Sequence, residues 1–266
     1  MKSWINQQME FAVSQFDQSI ETHYRESAHY FRNPDDFYHG ITQLWNYLDA
    51  IKMIDWKLYL KADSAVLDLA GGTGWLSAYL SQFDEVTKIY NVDSSRYFLT
   101  TMMPGLIRLM NGNAEKIEPI EGVFSPLLFD DGSLDAVVIS SSLHHAASLD
   151  QVLKDIHRVL NKDGLLFILN ETPFSNTRYV LSIIKQFIVM MKNTILHKYK
   201  SISQHISSSG FLYDPVLGDK AYPTWYWEKA ITNARFALIE VQDTKLFTLK
   251  EQNNGLHLVH FLCNKA

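Results

Sequence analysis

Cysteine is nearly absent from this chain: Cys263 is the single example in 266 residues. One thiol excludes an internal disulfide and leads us to expect a reducing, cytoplasmic setting. Basic charge is not in excess either. The 24 Lys and Arg are outnumbered by 29 Asp and Glu, for a net charge of -5. That balance argues against a nucleic-acid-binding surface. There is no internal repeat, low-complexity tract or Gly/Ser linker, and the opening "MKSWINQQMEFAVSQFDQ" lacks the apolar run of a secretory signal. Long hydrophobic runs are missing too. The nearest, 179–196 "YVLSIIKQFIVMMKNTIL", is interrupted by Lys185, Gln186 and Lys192 and is short for a span, so no integral membrane segment is expected. It reads as a largely buried helix, and the sharper alternative is an interfacial helix or one wall of an apolar substrate pocket. No metal is expected.

With 47% hydrophobic and 20% charged residues, the chain can bury one large core, with or without a small cap. Residues 4–31 have helical spacing. So do 41–60, with Leu44, Leu48, Ile51 and Ile54 near one face. From Val66 a different rhythm begins. Short apolar runs at 65–69, 88–92, 107–110, 135–140 and 164–169 read as buried strands, with amphipathic segments at 75–83, 94–103 and 149–160 between them. This is the alternation of βαβ units around a parallel sheet. "NKDG" at 161–164 ends the last of these helices, its glycine available for a positive φ. After Glu171 the rhythm breaks into helical pieces and a loop. A helix at 225–234 and runs at 236–242 and 256–263 then suggest an antiparallel hairpin on the sheet edge. We divide the chain into an N-terminal helical cap (1–60), a core (61–171), a helical lid insertion (172–225) and a C-terminal helix and hairpin (226–266).

The stretch "VLDLAGGTGWLS", residues 66–77, ends a strand in Asp68, turns on Gly71, Gly72 and Gly74, and enters a helix. Glycines tighten such a turn and let a ligand approach main-chain N–H groups. A second acid, Asp93, ends the next strand, where a carboxylate can accept both ribose hydroxyl protons. Two details argue against a dinucleotide. The third glycine of G-x-G-x-x-G is replaced by Ser77, and Asp68 before the loop suits a ligand with an ammonium-bearing tail rather than a pyrophosphate.

These residues resemble motif I of the class I S-adenosylmethionine-dependent methyltransferases. "YNVD" is similar to the family's acid after the second strand and "GNAEKI", 112–117, to the loop that meets adenine. The stretch from "LLFDDGSLDAVVISSSLHHAA" to "LLFILNE" is similar to its fourth strand, "LHH" turn, helix and fifth strand. The resemblance spans about 64–171. It implies a Rossmann-like α/β three-layer sandwich with a mostly parallel seven-stranded sheet, its last strand antiparallel. It implies S-adenosyl-L-methionine as cofactor and S-adenosyl-L-homocysteine as product. Asp68, Ala70, Gly71, Gly72 and Gly74 are then expected at the methionine moiety, Asp93 and Ser94 at the ribose, Asn113 and Ala114 at adenine, and Ser140 and Ser141 near the methionine amine. Ala70 stands where a glycine is usual, and is tolerated if its φ stays negative.

Methyl transfer to a neutral hydroxyl needs a base. The candidates are His144 and His145, with His145 preferred, in the turn after the fourth strand, where ligands sit in open α/β folds. "ETHYRESAHYF" adds Tyr24 and Tyr30 as catalytic candidates from the N-terminal cap. Glu171, Tyr222, Trp225 and Tyr226 are candidates for holding the acceptor. The lysines of 185–200 read as a solvated face, or else as a dock for an acidic substrate tail or a carrier protein; a homo-oligomer is a further candidate partner, with no surface assigned to it. The expected activity is O- or N-methylation of a small molecule. The rivals are non-methylating chemistry such as cyclisation on the same fold, and a non-catalytic binding protein.

Overall fold

Val66, Leu67, Ile89, Val92, Val137 and Ile168 have no exposed surface, so the apolar runs that carry them sit between two helical layers rather than at a solvated face. The computed structural model describes residues 1–10, 13–14, 32–177, 179–181, 184, 187–188, 220, 222–249 and 255–266. In chain order the strands are β1 (Lys2–Ser3), β2 (Ser64–Leu69), β3 (Val86–Asp93), β4 (Ile117–Glu121), β5 (Leu134–Ser140), β6 (Leu160–Glu171), β7 (Phe236–Asp243) and β8 (Val259–Lys265). The helices used below are α1 (Pro34–His39), α2 (Tyr47–Ile51), α3 (Trp56–Tyr59), α4 (Trp75–Leu80), α5 (Met103–Leu109), α6 (Leu149–Val159) and α7 (Thr224–Asn233).

The sheet order is β1-β4-β3-β2-β5-β6-β8-β7. Pairs from β1 to β6 are parallel, and β8 runs antiparallel to both β6 and β7. From β2 the chain builds outward through β3 and β4, then returns to the other side of β2 with β5. The switch point therefore lies between β2 and β5, and a crevice forms at their carboxyl ends.

Alternate side chains of each strand feed the two faces. Leu67, Leu69, Val137 and Ile139 pack with α6 and α7, while Val66, Ile89, Val138 and Phe167 pack with α2 to α5. Each fully buried aliphatic side chain contributes roughly 1.5–3 kcal/mol. Helix α6 shows the local logic: Ser148 caps it by accepting from the Gln151 N–H, and Val152, Ile156 and Val159 line its buried face.

Several expectations change. Residues 107–110 are not a strand. They continue α5 to Leu109, because Met103 and Leu106 bury one helical face and the next strand begins only at Ile117. The single helix expected over 41–60 is three pieces, a π-helical turn at Gly40–Leu44 followed by α2 and α3, with Asn46 in the left-handed region at φ 56. Gly164 does not use a positive φ. Glycine is needed there because a Cβ would lie 2.8 Å from the Leu160 Cβ. An eighth strand, β1, pairs in parallel with β4, so the N-terminal residues extend the sheet. In the C-terminal hairpin, β8 enters between β6 and β7, leaving β7 at the edge. Most of 11–31 and 189–219 falls outside the described residues.

Candidate active site

The glycine loop is held from behind. Ala70 (φ 53), Gly72 (φ 53) and Gly74 (φ 75) reverse the chain between β2 and α4. The Gly71 N–H donates to the Val92 carbonyl at 3.2 Å and the Gly74 N–H to the Gly71 carbonyl at 2.8 Å. Asp93, at the end of β3, ties the loop to the next turn. Its Oδ2 accepts from the Gly72 N–H at 2.9 Å and its Oδ1 from the Ser95 N–H at 2.8 Å, with Ser94 half-buried between. Ala70 departs from expectation: its φ is positive, a conformation that costs an L-residue about 1–2 kcal/mol.

Asp68 also departs from expectation. Its carboxylate lies beneath the loop and does not face outward. Oδ2 accepts from the Ser77 N–H at 3.0 Å, the Ser77 hydroxyl at 2.7 Å and the Asn91 amide at 3.2 Å. A Cβ on Gly71 would meet Asn91 Nδ2 and Asp68 Cγ, so the loop backbone separates Asp68 from anything bound above it.

Two further strands flank the crevice. Past the ends of β2 and β5 and within the end of β6, Ala70, Ser141 (φ 48) and Asn170 (φ 55) all occupy the left-handed region. Three such residues on three adjacent strands mark the spot where backbone strain concentrates, as it does at functional sites. Asn170 donates from Nδ2 to the Ser140 hydroxyl at 2.9 Å, and the Ser142 hydroxyl donates to the Ser140 carbonyl at 2.7 Å. Ser141 Oγ lies 2.8 Å from the Tyr47 hydroxyl, which brings α2 to this edge.

Beyond Ser142, a 3-10 turn, Leu143–His145, carries both histidines. They are not equivalent. His144 Nδ1 is 2.7 Å from Glu171 Oε2, and Glu171 is 2% exposed, its Oε1 accepting from the Leu143 N–H at 3.2 Å. The His145 ring stacks obliquely on His144, centroids 4.2 Å apart. A carboxylate beside its ring makes His144 a candidate base alongside the His145 expected from the sequence. The same contact holds the Glu171 carboxylate against the His144 imidazole. Lys220 clamps the turn from outside, donating its N–H to the His144 carbonyl at 3.2 Å and its ammonium to the Ala146 carbonyl. Tyr222 is buried and stacked on Tyr226 at 4.8 Å. Burial, then the neighbouring Tyr226 and Glu171, drive the Tyr222 phenol well above its ordinary range.

Residues 67–168 match a family model described as "Methyltransferase domain". By that match, residues 67–168 form a methyltransferase domain, in line with the resemblance read from the sequence. A ubiquinone/menaquinone biosynthesis C-methyltransferase of Hahella chejuensis is 33% identical over 52% of this chain and 53% of its own length. A demethylmenaquinone methyltransferase of Chlorobaculum tepidum is 29% identical over 66% of this chain and 65% of its own. The chain thus spans about half the length of the first of these relatives. Among solved structures, the 1,6-didemethyltoxoflavin-N1-methyltransferase of Burkholderia thailandensis shares the fold with a TM-score of 0.59 at 15% identity, over 98% of this chain and 91% of that one.

Within the methyltransferase domain, Asn113 and Ala114 are misplaced by the sequence reading. They precede β4 and form the start of a 3-10 turn in which Asn113 Oδ1 caps the Glu115 N–H. Because β4 runs parallel to β3, its amino end is at the opposite sheet edge from Asp93. The turn beside Asp93 is Gly122–Phe124: the Gly122 N–H donates to the Asp93 carbonyl at 2.9 Å, and the Trp4 ring packs against Gly122. Strand β4, "IEPIE", escaped notice because two acids and a proline interrupt it; Gly122 after it was the available signal. Tyr47 and Asn170 were missed as well, since neither carries a motif. Tyr24 and Tyr30 lie outside the described residues. Trp225 packs edge-on against Tyr179 and Tyr226, with 37% of its surface exposed.

Two buried ionisable groups near the loop oppose each other. Burial pushes the Asp68 carboxyl up to about 6, against the pull of its Ser77 and Asn91 donors. Burial pushes His260 down to about 4; its Nδ1 accepts from the Asn170 N–H at 3.1 Å and its Nε2 faces the Ala50 carbonyl at 3.1 Å. A raised carboxyl adds stability that is present below 3.8 and lost as pH rises through about 6. A depressed histidine adds stability that is present above 6.5 and lost as pH falls through about 4. In the wild type the two slopes largely cancel. Asp68→Asn removes one of them, so the unfolding free energy of that variant should fall by on the order of 3 kcal/mol between pH 6.5 and 4, measured in urea. A variant whose stability changes with pH no more steeply than that of wild type would refute the opposition.

Proposed function

We propose that the chain is an S-adenosylmethionine-dependent methyltransferase for a small-molecule acceptor with an ionisable O–H or N–H, and that His144, oriented by Glu171, takes that proton. The observation that carries this is the 2.7 Å His144–Glu171 pair beside the Asp93-tied glycine loop, on the two sides of the switch point.

The residues present fit the cofactor. Thr73 Oγ1, in the loop, and Asn170 Oδ1, at the end of β6, are buried and have no hydrogen-bond partner among the described residues, so the crevice rim holds polar capacity for a ligand. Gly71, Gly72, Asp93, Ser94, Ser140, Ser141 and the Gly122–Phe124 turn would hold it. When bound, S-adenosylmethionine supplies an electrophilic sulfonium methyl. The protein supplies alignment and a proton acceptor. Glu171 takes the Nδ1–H of His144, which sets the tautomer and leaves Nε2 as the basic nitrogen. Tyr222 and Tyr226 form an aromatic wall at the acceptor side. Deprotonating a phenolic acceptor raises electron density on oxygen and on the adjacent ring carbons. The same base therefore serves the O- or N-methylation expected here and the C-methylation named in the quinone-pathway relatives.

Calorimetry tests the donor half. Wild type should bind S-adenosylmethionine, and Asp93→Ala should weaken it by about 10²-fold or more through loss of charge-assisted hydrogen bonds. Transfer of labelled methyl to a product tests the rest. Absence of cofactor binding by the wild type would overturn the proposal.

A further inference from the structure

We propose that His260 is a positioning residue for methyl transfer: it holds open a bulge in β6 that turns Glu171 toward His144. The proposal rests on the His144–Glu171 pair acting in proton transfer. The bulge shows in the strand register. Ile168 of β6 pairs with Phe261 of β8, and Glu171 pairs with Val259. Two residues of β6, Leu169 and Asn170, therefore stand opposite one residue of β8, His260. Asn170 has φ 55, the left-handed conformation that a bulged residue adopts and that asparagine tolerates. Its N–H donates to a side chain, the Nδ1 of His260, at 3.1 Å.

The extra residue decides which face of the sheet Glu171 uses. Side chains alternate along a strand, so a shift of one residue moves every later side chain to the other face. Leu166 and Ile168 pack in the layer of α6 and α7, and Phe167 and Leu169 in the layer of α2 to α5. Continued without a bulge, this alternation would send Glu171 to the second layer. Its partners lie on the first. Leu143 and Tyr222 belong to that layer, as does the cross-strand neighbour Val259. There Glu171 accepts from the Leu143 N–H at 3.2 Å and lies 2.7 Å from His144 Nδ1. His260 works from the opposite face, where its Nε2 meets the Ala50 carbonyl of α2 at 3.1 Å. An imidazole suits this place because one rigid ring carries both an acceptor and a donor. Nδ1 accepts from Asn170 when it is unprotonated, and Nε2 then carries the proton given to Ala50. The ring is fully buried, and burial keeps it neutral, its pKa pushed down to about 4. Without the ring, the buried Asn170 N–H loses its acceptor, which favours a rearranged ladder.

Two amide variants separate the two nitrogens. The oxygen of an asparagine side chain lies where Nδ1 lies, so His260→Asn still accepts from Asn170. The longer His260→Gln places its amide near Nε2 and does not. Hydrogen exchange followed by NMR reads the Asn170 and Leu143 amides, the second of which is held by Glu171. Wild type should protect both. His260→Gln should speed both by ~10-fold or more and lower kcat by ~10-fold or more, with KM little changed. His260→Asn should stay within about threefold of wild type in exchange and in kcat. In wild type itself, the imidazole nitrogen shifts should show a neutral His260 with its proton on Nε2 near neutral pH, a test that needs no variant to fold. A charged ring or a proton on Nδ1 would overturn the proposal. So would unchanged Leu143 protection in His260→Gln, or equal loss of turnover in the two variants. Faster exchange at both amides with unchanged turnover would support the positioning of Glu171 and overturn the proton-transfer reading instead.

Discussion

His144→Ala is expected to lower methyl transfer by ~10²–10⁴-fold with cofactor affinity within about twofold of wild type, the signature of a lost proton acceptor. His145→Ala should fall by no more than a few fold, because the 2.7 Å contact with Glu171 belongs to the His144 ring, on which His145 stacks. Glu171→Gln separates chemistry from folding. The amide is isosteric, and its oxygen can still accept from the Leu143 N–H. What it loses is the anion at 2.7 Å from His144 Nδ1. Turnover should drop by ~10–100-fold, and KM should change little. The acid limb of the pH–rate profile should move to lower pH, since the carboxylate no longer favours the imidazolium. A structural role for Glu171 would change the melting temperature and leave that limb in place. The reverse ranking of the two histidines, with His145→Ala the more damaging, would return the base to the second position of the turn.

The ranking was invisible before the fold. "LHH" and Glu171 lie 27 residues apart, joined only because β5 and β6 are parallel neighbours that end at the same edge. The glycine loop and Asp93 were legible because their chemistry is local and their order along the chain is fixed by βαβ alternation. Asn113 failed for the opposite reason. Its motif-like "GNAEKI" precedes a strand broken by acids and proline, and without the strand there was no way to tell which sheet edge the loop served. Asp68 failed by one layer of packing. Sequence order places it before the loop, but only burial decides that its oxygens turn inward to Ser77 and Asn91. Tyr47 reaches the crevice from the N-terminal segment through Ser141, a contact across 94 positions that no pattern announces.

Gly71→Ala is expected to destabilise the domain by ~3 kcal/mol or more and to abolish cofactor binding, while its neighbours tolerate the same change in size. The distances make the case. A Cβ at Gly71 would sit 2.1 Å from Asn91 Nδ2 and 2.8 Å from Asp68 Cγ. Neither can retreat, because Asn91 Nδ2 also donates to Ser77 Oγ at 2.9 Å and Asp68 is held by the Ser77 N–H and hydroxyl. The loop must lift, and with it the Gly72 N–H that binds Asp93. At Gly72 the conflict is conformational alone: φ is 53 and the nearest atoms stand 3.9 Å away. Ala70 already occupies φ 53, so Gly72→Ala should cost only about 1–2 kcal/mol. Ala70→Gly runs the comparison backwards and should stabilise by about 1 kcal/mol, the left-handed penalty less the entropy of glycine. Urea denaturation of the three variants reads all of this. Equal losses for Gly71→Ala and Gly72→Ala would show that backbone conformation, rather than the Asn91–Asp68 floor, sets the need for glycine in this loop.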